Sequence, residues 1–188
     1  MIDASNAPGL LRVANLFGAV SQAVDDAVSD AISSQSPSNI SPAALSLVGH
    51  AEGITIAQIG RALGLSHPGT VRLVDRMVAA GLAERKTSPA DARAVSVHLT
   101  AEGRELAQQV AVKRLGVIGD LISGLDPTEQ ETLASLADRI LTTSVNTFDA
   151  GVRVCRLCEP SVCTDCPVEP VFVSHTESLR EDSHAGPD

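Results

Sequence analysis

Tryptophan and tyrosine are absent from this chain of 188 residues, and phenylalanine occurs only three times. Any core must therefore be built from Leu, Val, Ile and Ala, a set that favours packed helices over an aromatic-rich sandwich. Long apolar runs are missing as well: none reaches the roughly 18 uninterrupted residues that a membrane helix needs, so no membrane partner is expected. A positively charged leader is lacking, since Asp3 stands where a secretory signal would carry Lys or Arg, and the chain reads as cytoplasmic. No phosphate-cradling glycine loop, H-E-x-x-H or G-x-S-x-G occurs, so the main catalytic motifs find no foothold and the chain reads as a non-enzyme.

Positive charge is also in short supply, with 14 Lys and Arg against 23 Asp and Glu and a formal net charge of −9. Taken whole, that balance argues against a nucleic-acid partner, because phosphate contacts are made mainly by Lys and Arg. The distribution reverses the impression. Between Ile54 and Leu99, Arg61, Arg72, Arg76, Arg85, Lys86 and Arg93 face only Asp75, Glu84 and Asp91, a local surplus of three positive charges that leaves −12 on the remainder.

What is present is apolar residues at helical spacing. The 44% apolar content suits one folded unit with a core, or a small module with appended helices. Leu10, Val13, Phe17, Val20, Val24, Ala27 and Ile32 recur every three or four positions and mark one long amphipathic helix from Gly9 to Ser33. Ser41 followed by Pro42 opens a short helix that Gly53 stops. Thr55 caps a second, with Ile56, Ile59 and Leu63 on one face and Gly64 as its terminator. A third begins near Ser66 to Pro68, carries Val71, Val74, Met77 and Val78, and stops at Gly81. Two short helices joined by a glycine-containing turn of this length form a helix-turn-helix unit.

After Gly81 the period changes. Residues 82–86 and 94–99 read as two strands around the turn-rich stretch 87–93, a hairpin that would make a wing. Thr100 then caps a long helix through Leu106, Val110, Leu115 and Ile122, and Asp126 with Pro127 opens another through Leu133, Leu136, Ile140 and Val145. The expected fold is mainly α with a small β-hairpin wing, a winged helix-turn-helix with long N- and C-terminal helices. Its organisation reads as an N-terminal dimerisation helix (1–40), the winged module (41–99), C-terminal dimerisation helices (100–150), a four-cysteine segment (151–168) and a flexible acidic tail (169–188). The apolar stripes of the terminal helices exceed what a small winged module requires, which points to a homodimer.

Five stretches at these spacings resemble the MarR family of bacterial regulators: Leu63-Gly64-Leu65-Ser66, Arg72-Leu73-Val74-Asp75-Arg76-Met77, Gly81-Leu82-Ala83-Glu84-Arg85, Asp91-Ala92-Arg93-Ala94 and Leu99-Thr100-Ala101-Glu102-Gly103. The resemblance covers roughly Leu10 to Val145 in element order, with its motifs between Ile54 and Gly103. It implies a homodimer that presents two winged modules to a double-stranded DNA operator, with Ser66 to Gly81 as the major-groove recognition helix. It further implies that Arg93 at the wing tip enters the minor groove, oriented by Asp91, which Arg76 supports. The residues themselves agree in part: Arg72 and Arg76, four apart, share a helix face and carry the bidentate geometry that guanine or phosphate accepts. Ser66, His67 and Thr70 at the helix entry complete the candidate DNA-contacting set together with Arg85 and Lys86 on the wing; Arg61, Arg85 and Lys86 are phosphate contacts or ordinary surface charge, the former favoured for the wing pair. Many relatives enter this helix with Ser-Pro-Ser-Thr, whereas here Pro68 comes one position late. His67 can touch DNA or simply remain solvated.

All four cysteines fall within twelve residues as C-x2-C-x4-C-x2-C: Cys155, Cys158, Cys163 and Cys166, followed by Pro167. In a chain read as cytosolic this clustering favours a metal over disulfides, and four thiolates close a tetrahedral site. Zinc is the first expectation. An iron-sulfur cluster is the alternative, since a ferredoxin-like run has similar density and also ends in Cys-Pro. His175 and His184 are not needed as ligands. The reading is a DNA-binding transcriptional regulator, a repressor, whose affinity answers to a small-molecule effector, a metal or a redox signal. An iron-sulfur sensor and a thiol-disulfide oxidoreductase are the alternatives; the latter lacks the βαβ pattern that usually frames a redox C-x-x-C.

Overall fold

The computed structural model of the protein describes residues 8–33, 40–51, 53–87, 95–163 and 165–173. Helix α1 (Pro8–Ser33) is followed by α2 (Pro42–His50), the two-residue strand β1 (Ile54–Thr55), α3 (Ile56–Leu63) and α4 (His67–Ala79). Strands β2 (Ala83–Thr87) and β3 (Val95–Leu99) precede the long helices α5 (Ala101–Ile122) and α6 (Pro127–Ser144), then α7 (Phe148–Cys155) and a 3-10 turn at Pro160–Val162.

Each short helix begins where a side chain can satisfy the free N–H groups of its first turn. Ser41, Thr55, Ser66, Thr100, Asp126 and Thr147 all sit at N-caps in extended conformation and accept from the backbone three residues on. At Thr55 and Asp126 the cap is reciprocal: Gln58 and Glu129 reach back to the cap N–H, closing capping boxes. Helix α3 ends at Gly64, whose φ of +66° is the left-handed conformation that lets the chain turn sharply into α4.

The expected hairpin is extended by a third strand. β3 lies centrally between β1 and β2, both antiparallel to it, with Ile54 opposite Val97 and Arg85 opposite Val97 on the other edge. β1 is two residues long, too short to show alternation, which is why the pattern of the sequence did not reveal it. The sheet closes one side of the main core, in which Leu45, Val48, Ile59, Val74, Met77 and Val97 are fully buried. Each such side chain contributes about 1.5–3 kcal/mol by leaving water.

A second, smaller core joins α1 to α5 through Val28, Ile32 and Val110, with Leu157 packed against it. The beginning of α1 and nearly all of α6 stand outside both cores: Leu10, Val13, Phe17 and Val20 on the one, Leu133, Leu136 and Ile140 on the other, are exposed. No residue of α6 is buried.

The segment after α6 corrects the sequence reading. Helix α7 was not foreseen, and residues 169–173, expected to open a flexible tail, form a helical turn. The Phe172 ring meets Phe148 edge-on with centroids 5.8 Å apart, and Val168 is buried. Gly151 permits this packing, because a Cβ there would stand 3.2 Å from both Phe172 and Val168. Residues 174–188, the rest of that tail, lie outside the described residues, as do His175 and His184.

Candidate nucleic-acid interface and cysteine segment

Helix α4 owes its rigidity to what it buries. Leu73, Val74 and Met77 anchor one face in the main core, while Arg72, Asp75 and Arg76 are exposed on the other. Ser66 starts the helix by accepting from the Gly69 N–H at 3.3 Å, and Pro68 occupies the first turn, where a missing N–H costs nothing. The late proline is thus accommodated. His67 is exposed beside it.

Thr70 corrects the candidate list. It is 0% exposed, and its Oγ1 donates to the Ser66 carbonyl at 3.0 Å. It also lies against Gly60 of α3, where a Cβ would stand 2.8 Å from Oγ1. Thr70 therefore sets the close approach of α3 and α4 and is not available to DNA.

On the wing, Arg85 forms a 2.8 Å ion pair with Asp75 of α4, and Lys86 forms one of 2.7 Å with Glu84. Both remain solvent-accessible, so they can reach a phosphate only by sharing or exchanging these partners. Asp91 and Arg93 lie outside the described residues.

Sequence reasoning missed a feature made by distant segments. Arg61 of α3, Arg72 and Arg76 of α4, and Arg153 and Arg156 at the end of α7 line one cavity of about 750 Å3, together with Gly69 and Leu73. Among the described residues no acidic one lines it. Helix α7 is held there by packing on α3, by Val152 against the main core, and by a 3.6 Å contact between Arg61 and Asp149.

The four-cysteine segment continues from the same helix. The Cys158 N–H donates to the Cys155 carbonyl at 2.9 Å, and the interaction between the two sulfurs holds the Cys155 thiol well above the usual range and pulls Cys158 down to about 6, with the nearby Arg114 guanidinium adding to the second effect. Burial and the neighbouring thiols raise Cys163. Cys163 and Cys166 are thus within electrostatic reach of the first pair, but among the described residues no three ligating side chains converge tightly enough to form a metal site. Leu157, between the first two cysteines, anchors the loop on the α1–α5 core.

A helix-turn-helix whose sheet flanks the second helix defines a winged helix protein. Residues 38–94 match the MarR family. The curated "Uncharacterized HTH-type transcriptional regulator YsmB" of Bacillus subtilis (strain 168) is 34% identical over 76 residues, 40% of this chain and 52% of that protein. The chain thus spans about half the length of the curated relative it matches.

Among solved structures, RV1404 from Mycobacterium tuberculosis superimposes with a TM-score of 0.59 at 24% identity, covering 73% of this chain and 95% of that one. A cysteine-to-serine mutant of MarR from E. coli, complexed with operator DNA, gives a TM-score of 0.51 at 25% identity, covering 74% and 99%. The likeness to the MarR family thus falls on residues 38–94, which carry the helix-turn-helix. No described helix is long and apolar enough to cross a membrane.

Proposed function

We propose that the protein is a sequence-specific DNA-binding transcriptional regulator, a repressor that acts as a homodimer. The observation that carries this reading is the exposed face of α4, where Arg72 and Arg76 stand on a helix immobilised by its buried face. Such a helix can enter a major groove without reorganising, and the similar E. coli protein was solved with operator DNA. The exposed apolar residues of α1 and α6 support the dimer, because large apolar stripes of this kind are usually covered by a partner. A dimer would set two α4 helices against two half-sites, and a small-molecule effector that changed their separation would need only a few kcal/mol of coupling to release DNA.

The test is selection of duplexes from a random pool, followed by affinity measurements on variants. Arg72→Ala and Arg93→Ala should each weaken binding to the selected site by about 1–3 kcal/mol. Unchanged affinity in both would remove the reading.

The cysteine segment is assigned to a metal, zinc first and an iron-sulfur cluster second. The support is the paired C-x2-C spacing and the turn in which the Cys158 N–H donates to the Cys155 carbonyl at 2.9 Å; Cys163 and Cys166 would have to swing in to complete four thiolate ligands. Bound zinc would act structurally, tying down a segment with little core of its own. Metal analysis and the visible spectrum of protein purified without oxygen decide the matter. One zinc in a colourless sample, lost in Cys155→Ser and in Cys163→Ser, supports a structural site. Brown protein with iron and sulfide would make it a sensor of redox state or iron, and metal-free protein would end the assignment.

A further inference from the structure

The arginine-lined cavity does not belong to the helix-turn-helix alone. Two of its five arginines, Arg153 in α7 and Arg156 at its C-cap, come from a segment that lies beyond the matched domain. Like charges gathered round one cavity repel, and among the described residues the lining itself holds no acid, although Asp149 stands 3.6 Å from Arg61. Among the described residues neither Arg72 nor Arg153 has an ion-pair partner. In a chain whose net charge is −9, five arginines in one place form a site shaped for an anion.

Resting on the DNA-binding reading above, we infer that α7 is part of the DNA interface: Arg153 and Arg156 extend the surface of the recognition helix and hold backbone phosphates flanking the bases that α4 reaches. The occupant is assigned to DNA because Arg72 and Arg76, the arginines placed to enter the groove, line the same cavity. A duplex engaged by α4 would bring its phosphates to the opening. Arg offers the forked geometry that a phosphate accepts, and such contacts fix position without carrying sequence information. Arg156 has a second role, since its guanidinium donates to the Arg153 carbonyl at the end of α7. A structural effect of removing it must therefore be separated from loss of charge.

The experiment measures affinity of the full-length dimer for its selected duplex and for a random duplex across a salt series. In the pair R153A/R156A, the slope of log affinity against log salt should become shallower by about 1–2 per protomer, at roughly 0.9 for each lost phosphate contact. Affinity should drop by the same factor on both duplexes. R153K/R156K should keep the slope, because the charge survives. R153Q/R156Q should make it shallower to the same extent as the alanine pair, which keeps the test open should the alanine pair fold poorly.

An unchanged slope in the neutral variants, while Arg72→Ala still weakens binding, would overturn the role of α7 and leave the DNA-binding reading standing. Unchanged slopes together with binding of inorganic phosphate by the wild type would mean that the cavity serves a free anion, and would overturn it too. A wild type that retains no duplex from the pool would remove both inferences.

Discussion

Asp75 of α4 and Arg85 of β2 are joined by a 2.8 Å ion pair that ties helix α4 to the wing. With side chains 52% and 33% exposed, the pair is worth little to stability, within the roughly 0.2–1 kcal/mol of exposed pairs. Its value is positional. A double-mutant cycle on Asp75→Asn and Arg85→Gln should give a coupling below about 1 kcal/mol in thermal unfolding. Under the DNA reading the two single variants should part company in binding: Arg85→Gln loses a charge that phosphate can use and flattens the salt dependence, whereas Asp75→Asn frees Arg85 and steepens it. Equal and parallel effects of both on salt dependence would show that Arg85 serves the helix and not the duplex.

Two glycines mark where elements come closest. At Gly103, in the first turn of α5, a Cβ would collide with the Leu82 carbonyl, which also accepts from the Thr100 N–H. At Gly60 the obstacles are the Thr70 hydroxyl at 2.8 Å and the Leu65 carbonyl at 3.3 Å, both farther off than the Leu82 carbonyl is from a Cβ on Gly103. Gly103→Ala should therefore destabilise by more than Gly60→Ala, the latter staying within the roughly 1–3 kcal/mol of overpacking. Gly116 of α5 has nothing within 4 Å of an added Cβ, so Gly116→Ala should instead gain about 0.5–1 kcal/mol from helix propensity. Denaturant melts of the three variants check the order.

Thr70 offers a test of the corrected interface. Thr70→Val keeps the shape but removes the hydrogen bond to Ser66, so stability should fall by about 0.5–1.5 kcal/mol. The affinity of the folded fraction for DNA should stay within twofold of wild type. A loss as large as that expected for Arg72→Ala would return Thr70 to the interface.

Those contrasts show what the sequence carried and what it did not. Caps are local, and Ser41, Thr55, Ser66, Thr100 and Asp126 each announced a helix through a side chain that serves a backbone group three residues away. The exposed pair Arg72 and Arg76 was equally legible, because a spacing of four places both on one helix face. Thr70 was not: polar and next to the helix entry, it looks like a contact residue, and only the approach of α3 reveals its burial. Helix α7 escaped notice because it is a short helix with Gly151 inside it, and that glycine makes sense only against Phe172 and Val168. The meeting of Arg153 and Arg156 with Arg61, Arg72 and Arg76 depends on where α7 docks, which no local pattern encodes.

The apolar stripes of α1 and α6 lead to the last prediction. Leu133, Leu136 and Ile140 recur at spacings of three and four, yet each is more than 40% exposed, and the same holds for Leu10, Val13, Phe17 and Val20. Covering such a side chain is worth about 1.5–3 kcal/mol, so several left open in each chain form a strong drive toward association. Leu136→Asp combined with Ile140→Asp should give a monomer by sedimentation equilibrium with unchanged helix content, because neither residue supports a core within its own chain. Affinity for a duplex with two half-sites should then fall to that of a single half-site, and the dependence on half-site spacing should vanish. A double variant that remained dimeric would move the interface away from α6.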